Sequence, residues 1–180
     1  DSFEQQNNII EANKFYAIEM QKREEELEKE KKNGKNFFEW LIFKVHGLAS
    51  NHSQDSLLAL FWILIFSFAY GFISCVNESL DTKLEYFLID SFILGIILTI
   101  SIWVVKKEKI NNFYLVLVFY FFYSFFSKDF TLYDISNNIN PFSIMTGLQE
   151  LSFLTLIYKV SIAFLIYQFI ISIRQNTRRK

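Results

Sequence analysis

The sequence predicts an all-α fold: a four-span transmembrane helical bundle, preceded by an amphipathic interfacial helix and a long polar N-terminal helix. Three observations carry this expectation. The 180-residue chain is 52% hydrophobic and 19% aromatic yet 21% charged, so charge and apolarity must be segregated along it. That pattern belongs to membrane proteins rather than to soluble globules or disordered chains. Four runs of 18 to 23 residues are almost free of charge, and the remaining charges gather at their ends.

Residues 1–35 read as a cytoplasmic polar helix and linker. Positions 3–32 carry a sparse apolar stripe, Ile9, Ala12, Tyr16, Met20 and Leu27, at helical spacing. Glu25–Lys29 and Glu28–Lys32 have the acid-before-base order that supports a helix. The stripe thins after Met20, so a long coiled coil is not expected there. A solvated connector, an oligomerisation stalk and a link to a soluble domain are the alternatives. Asn33-Gly34 should break this helix. Residues 36–50 are apolar and aromatic but too short to cross about 30 Å of hydrocarbon. Trp40 and Lys44 are interfacial types, so this segment is expected to lie in the membrane surface.

Residues 51–180 form the predicted transmembrane domain, with spans at about 57–76, 86–105, 110–127 and 151–173. At a rise of about 1.5 Å per residue these cover roughly 27–35 Å, enough to cross a bilayer. Orientation follows from Lys and Arg. The connection at 106–109 and the tail after 173 hold seven bases between them, against Lys83 and Lys128 in the opposite loops. Both termini are therefore expected in the cytoplasm.

Candidate functional residues are those that break the segregation. Lys159 lies roughly 12 Å inside its span, where a charge costs about 2.5–3.5 kcal/mol and needs a partner. Asp90, in the second span, is the expected partner. Ser152 and Thr155 share a face with Lys159, while Ser161, Gln168 and Ser172 share another. Either stripe suits an aqueous path or hydrogen bonding between helices. The long outer loop adds Asn140, Pro141, Thr146 and Gly147. Gly71 and Gly95 are expected to let helices approach closely. His52 and Asp55 are too few for a metal site, and Ser53 or Asp55 is expected to cap the first span. No catalytic motif, metal cluster or cofactor fingerprint occurs. An enzyme is not expected, nor a cofactor, and the net charge of −1 gives no reason to expect nucleic acid as a partner.

Three stretches carry a resemblance. Ala12-Asn13-Lys14-Phe15-Tyr16-Ala17-Ile18-Glu19-Met20, Ser50-Asn51-His52-Ser53-Gln54-Asp55 and the ending from Tyr167 to Lys180 resemble the C-terminal region of bacterial membrane proteins with pentapeptide repeats. The resemblance implies the bacterial inner membrane, a soluble repeat domain upstream and, as in some members, ion-channel-like last spans. No T-V-G-Y-G filter lies between Lys128 and Glu150, so potassium selectivity is not implied. Two functions follow as expectations. One is a homo-oligomer in the lipid bilayer that forms or gates an ion-conducting pore. The other is a membrane anchor or interaction module for the upstream domain, in which Lys159→Met would be harmless.

Overall fold

The computed structural model describes residues 9–32, 34–77, 83–106, 112–146 and 153–177. It is all-α, with no strand among the described residues. The helices are α1 (Ile9–Lys32), α2 (Phe37–Ser50), α3 (Ser56–Asn77), α4 (Lys83–Lys106), α5 (Asn112–Ser127), α6 (Tyr133–Ile139) and α7 (Phe153–Thr177), with a 3-10 helix at Pro141–Thr146. The chain divides into two compact units, Asp1–Leu60 with Phe164–Lys180, and Phe61–Ala163.

In the first unit α1 and α2 form an antiparallel hairpin. Gly34 takes φ 74°, its N–H bonds Lys31 O, and the Lys35 N–H bonds Glu30 O. These two bonds satisfy the last carbonyls of α1, and glycine adopts the left-handed turn without a Cβ penalty. Arg23 then reaches Glu39, Lys44 reaches Glu24 and Glu28, and the Lys31 ammonium sits 3.2 Å from the centre of the Trp40 ring. Leu27 is fully buried, so α1 packs on α2 of its own chain rather than standing as a stalk. The other face of α2, with Phe38, Leu41, Ile42 and Val45, is apolar and exposed. That is the division expected of a helix in a membrane surface.

Asn51, His52 and Ser53 all take positive φ, 48°, 54° and 64°. Left-handed conformation is costly for residues with a Cβ. Here it is held by Gln54 and Asp55 N–H groups on Ser50 O, and by the Ser53 N–H on Ser50 Oγ at 2.9 Å. Asp55 ends the turn and caps α3, its carboxylate accepting the Leu58 N–H at 3.0 Å.

The second unit has helices of alternating direction. Ser67 pairs with Tyr158 and Tyr70 with Thr155, so α3 and α7 are antiparallel. Phe68 meets Tyr120 and Tyr123, while Phe72 meets Phe122 and Phe126, so α3 and α5 are parallel. Cys75, half-buried, continues this seam against Phe126. The Asn77 amide donates to Asp90 at 3.2 Å and joins the end of α3 to the start of α4.

Three helices are long and apolar enough to cross a membrane: Ser56–Asn77, Leu88–Lys106 and Phe153–Gln175. The expectation of four spans is corrected here. The predicted third span is a helix of 16 residues, about 24 Å long against roughly 30 Å of hydrocarbon. Asn112 opens it, Lys128 turns away after it at φ 57°, and residues 110–111 lie outside the described ones.

The two glycines behave differently. A Cβ on Gly71 would come within 2.8 Å of the Tyr123 ring and 3.4 Å of Ile135, so this glycine sets the close approach of α3, α5 and α6. Gly95 faces open space, and the packing role expected for it is absent among the described residues. Between α5 and α7 the described residues form α6 and the 3-10 helix. Asp129 accepts Tyr133 and Asp134 N–H groups and the Thr131 hydroxyl, taking the capping role that Leu132 at φ 56° lacks. Desolvation pushes the Asp129 carboxyl up, but these hydrogen bonds outweigh it and hold it below its ordinary value.

Candidate functional site

Lys159 is the most deeply buried ammonium among the described residues, 1% exposed. It donates to the carbonyl of Asn138 and, at 3.0 Å, to that of Asn140. Asn138 is in the last turn of α6 and Asn140 is its C-cap, so the ammonium meets the end of the helix that carries the negative pole of its dipole. A short helix folded out of the loop therefore supplies the countercharge. The expected Lys159–Asp90 pair is not formed among the described residues. Asp90 is buried beside Asn77, and one oxygen of each has no hydrogen-bond partner there.

The neighbours of Lys159 form a second layer. Tyr70 and Tyr158 stack at 4.0 Å with an interplanar angle of 7°. The Tyr70 and Thr155 hydroxyls lie 3.0 Å apart. The Tyr158 hydroxyl donates to Ser67 Oγ, and Ser67 donates to Ile63 O. Each hydroxyl of this layer thus finds a partner within the bundle, as a low-dielectric interior favours, whereas those of Ser101 and Ser124, also buried, have none among the described residues. Asn140 also accepts the Phe142 N–H through its side chain, and Pro141 starts the 3-10 helix that ends at Thr146. Ser152 and Gly147 lie outside the described residues.

No family model, curated protein or solved structure matches this chain.

The first unit holds a separate polar node. Glu24 accepts from Lys44 at 2.7 Å and meets His52 Nε2 at 3.1 Å. His52 is buried against the rings of Phe43 and His46, and the missing Cβ of Gly47 leaves room for it. Gln168, also buried, accepts from the Ser50 and Ser53 hydroxyls at 3.1 and 3.0 Å. The Gln54 amide donates to Gln175, and Ser172 bonds back to Gln168 O. Ser161 is half-buried and joins neither cluster. The expected stripe of Ser161, Gln168 and Ser172 is thus split, and Gln168 serves to tie α7 to the turn before α3. Among the described residues no three of His, Cys, Asp and Glu are grouped to hold a metal ion.

Sequence reading missed Glu24 and Lys44 as members of this node. The Asn33-Gly34 break was the usable signal, because folding α1 back along α2 brings Glu24 level with Lys44. Gln168→Leu should cost about 1–3 kcal/mol, because the Ser53 hydroxyl loses its buried acceptor. Gln168→Glu, which keeps an acceptor oxygen, should recover part of this in a denaturant titration.

The node is also acid-sensitive. Desolvation alone raises the Glu24 carboxyl, but hydrogen bonds from Lys44 and His52 outweigh it and bring it below its ordinary value. Burial first, and the His52 ring second, lower His46 below its ordinary 6.5. For both groups the unfolded chain binds protons at higher pH than the folded one. The His46 contribution is complete above about pH 6.5 and falls as pH drops towards its lower folded value; that of Glu24 follows from about pH 4.5. Protection of the α1 and α2 amides, taken as exchange relative to the intrinsic rate at each pH, should fall between pH 7 and 5, and His46→Phe should remove that fall. Equal protection at the two pH values would contradict it.

Proposed function

We propose that this chain is an integral membrane module that holds protein at one membrane face through its α1–α2 hairpin, rather than lining a conducting path. The observation that carries this reading is the inward placement of the intramembrane polar groups. Lys159, Thr155, Tyr158 and Ser67 are buried and bond within the bundle. Most outward positions are apolar, among them Leu88, Phe92 and Ile100 on α4, Val118 and Phe125 on α5, and Val160 and Ile170 on α7; Ser91 and Thr99 are exposed polar residues on α4. A ring of copies built on such faces would present hydrocarbon to its axis, and a narrow hydrophobic constriction excludes water and ions.

Several features support the anchoring role. The exposed apolar face of α2 suits insertion into the headgroup boundary, with charged α1 above it. The node at Gln168 binds the turn after α2 to the last helix. In this proposal the basic tail after α7 lies in the cytoplasm, and with it the turn before α3 that Gln168 ties to α7. The resemblance to pentapeptide-repeat membrane proteins fits a soluble domain upstream and the bacterial inner membrane. The open face around Gly95 suits association with a second copy.

Reconstituted, folded protein should leak ions and dyes no faster than protein-free vesicles. Deleting residues 9–32 should leave the remainder integrated in the membrane. Flux that scales with protein content and changes on Lys159→Met would overturn the proposal in favour of a pore.

A further inference from the structure

The segment between α5 and α7 starts and ends at one face of the bundle, since α5 is parallel to α3 and α7 antiparallel to it. Three contacts nevertheless hold it well inside that face. Ile135, buried, lies beside Gly71, six residues before α3 ends at Asn77. Lys159, six residues after α7 starts at Phe153, binds the carbonyls of Asn138 and Asn140. Tyr120, seven residues before α5 ends at Ser127, donates to Phe130 O at 3.2 Å. Six residues of helix are about 9 Å. The long side chains of Tyr120 and Lys159 take up part of that distance, but Gly71 has none, so Ile135 lies level with the α3 backbone there. With 22 residues α3 is about 33 Å long, close to the roughly 30 Å of a hydrocarbon core. Its last residue therefore sits near the edge of that core, and α6 lies beside the spans rather than on top of them.

The side of α6 turned away from the bundle is polar. Ile135 points inward, with Asn138 and Ile139 half-buried, while Asp134, Ser136, Asn137 and Asn140 are exposed. The Ser136 hydroxyl bonds back to Tyr133 O, and the Asn140 side chain accepts the Phe142 N–H. The Asp134 carboxylate and the Asn137 amide have no such partner among the described residues. At this depth neither group is stable against lipid, and polar segments persist inside a membrane where they are buried in protein or line water. Water is favoured by the rings at either end of this edge. Phe130, Tyr133 and Phe142 are exposed, and aromatic surface next to polar groups is the composition of a boundary between hydrocarbon and water. Such water goes no deeper than α6. Lys159 is 1% exposed, and buried Phe61, Ile65, Val116 and Ile162 fill the interior beyond it.

We infer that α6 is a re-entrant half-helix whose Asp134 and Asn137 edge lines a blind aqueous recess, open at the face where α5 ends. The inference rests on the membrane reading above. The test uses the full chain in phosphatidylcholine vesicles, with Cys75→Ser and one bimane-labelled cysteine at a time. Phe130→Cys and Phe142→Cys report depth, Asp134→Cys and Asn137→Cys report water, and Phe121→Cys, exposed on α5, is the lipid control. All five positions are exposed, so circular dichroism should match the wild type in each. A nitroxide high on the lipid acyl chain should quench labels at 130 and 142 more than a headgroup nitroxide does. Iodide on both sides of the membrane should quench at 134 and 137 about fivefold or more above its effect at 121. Quenching at 130 and 142 that is strongest from the headgroup would put α6 on the surface and overturn the re-entrance. Labels at 134 and 137 that iodide misses would overturn the recess: quenching by the chain nitroxide would then mean lipid, and quenching by neither a second copy. Absence of nitroxide quenching at 121 would instead overturn the membrane reading itself.

Discussion

Lys159→Met should destabilise the protein by about 1–2 kcal/mol and loosen the α6 segment, while leaving the protein anchored in the membrane. Methionine retains the length of the side chain but removes the donors that meet Asn138 O and Asn140 O. Asn140 O keeps the Ser143 hydroxyl and N–H as donors, so the loss falls mainly on Asn138 O, and weakening one such acceptor costs about 1–3 kcal/mol. Relief from burying an ammonium offsets part of this, as when buried ions are replaced by apolar groups of similar size. The loss falls on the C-terminal end of α6, so amides of residues 133–146 should exchange faster while those of α1 and α2 do not change. Lys159→Arg should be milder, since a guanidinium still donates to both carbonyls. The earlier expectation that Lys159→Met is harmless thus divides in two: the anchoring role is retained and the loop is weakened. Unchanged exchange in α6 would show that the two carbonyls do not depend on Lys159.

Gly71→Leu is the second large effect. A Cβ alone would stand 2.8 Å from the Tyr123 ring, closer than any van der Waals contact permits, and a leucine adds three more carbons in the same direction. Tyr123 cannot easily retreat, because it is buried and packs on Phe68 at 6.0 Å. Overpacking a filled interior costs typically 1–3 kcal/mol, and this substitution should lie at or above the upper end. Gly95→Leu serves as the control. Nothing stands within 4 Å of its Cβ position, so the same change should leave unfolding in detergent nearly unaffected. Equal destabilisation by the two would refute the close approach at Gly71.

The elements were legible wherever one physical signal dominated. Uncharged runs placed α3, α4 and α7 to within a few residues, because a twenty-residue apolar stretch has few alternatives to a membrane helix. Gly34 ended α1 where the sequence indicated, since its left-handed turn needs no tertiary help. Asp55 capped α3 through its own side chain, again a local event. The third predicted span was misjudged because its uncharged run of 18 residues stood at the lower edge of what crosses a bilayer, and the described helix holds 16 of them.

The candidate site was legible in its members and not in its pairings. Lys159 stands out in any reading of its span. Its partners are backbone carbonyls about twenty residues earlier, and every residue type has a carbonyl, so nothing in the side-chain pattern marks them. Asp90 was the nearest residue of opposite charge by depth, yet Asn77 reaches it first across the α3–α4 turn. The node around Glu24 and His52 depends on three successive positive φ values at residues 51–53. Asn, His and Ser each adopt that conformation only when surrounding bonds hold them there.

Cysteine accessibility around α7 in proteoliposomes most directly distinguishes polar groups turned inward from polar groups lining a path. Cys75, the single native cysteine, is first changed to Ser, and single cysteines are then placed at positions 155 to 165. A membrane-impermeant maleimide should label none of them. Labelling that recurs with helical period at Leu156, Val160 and Ala163 would mean that water reaches the outward face, and would contradict the anchor.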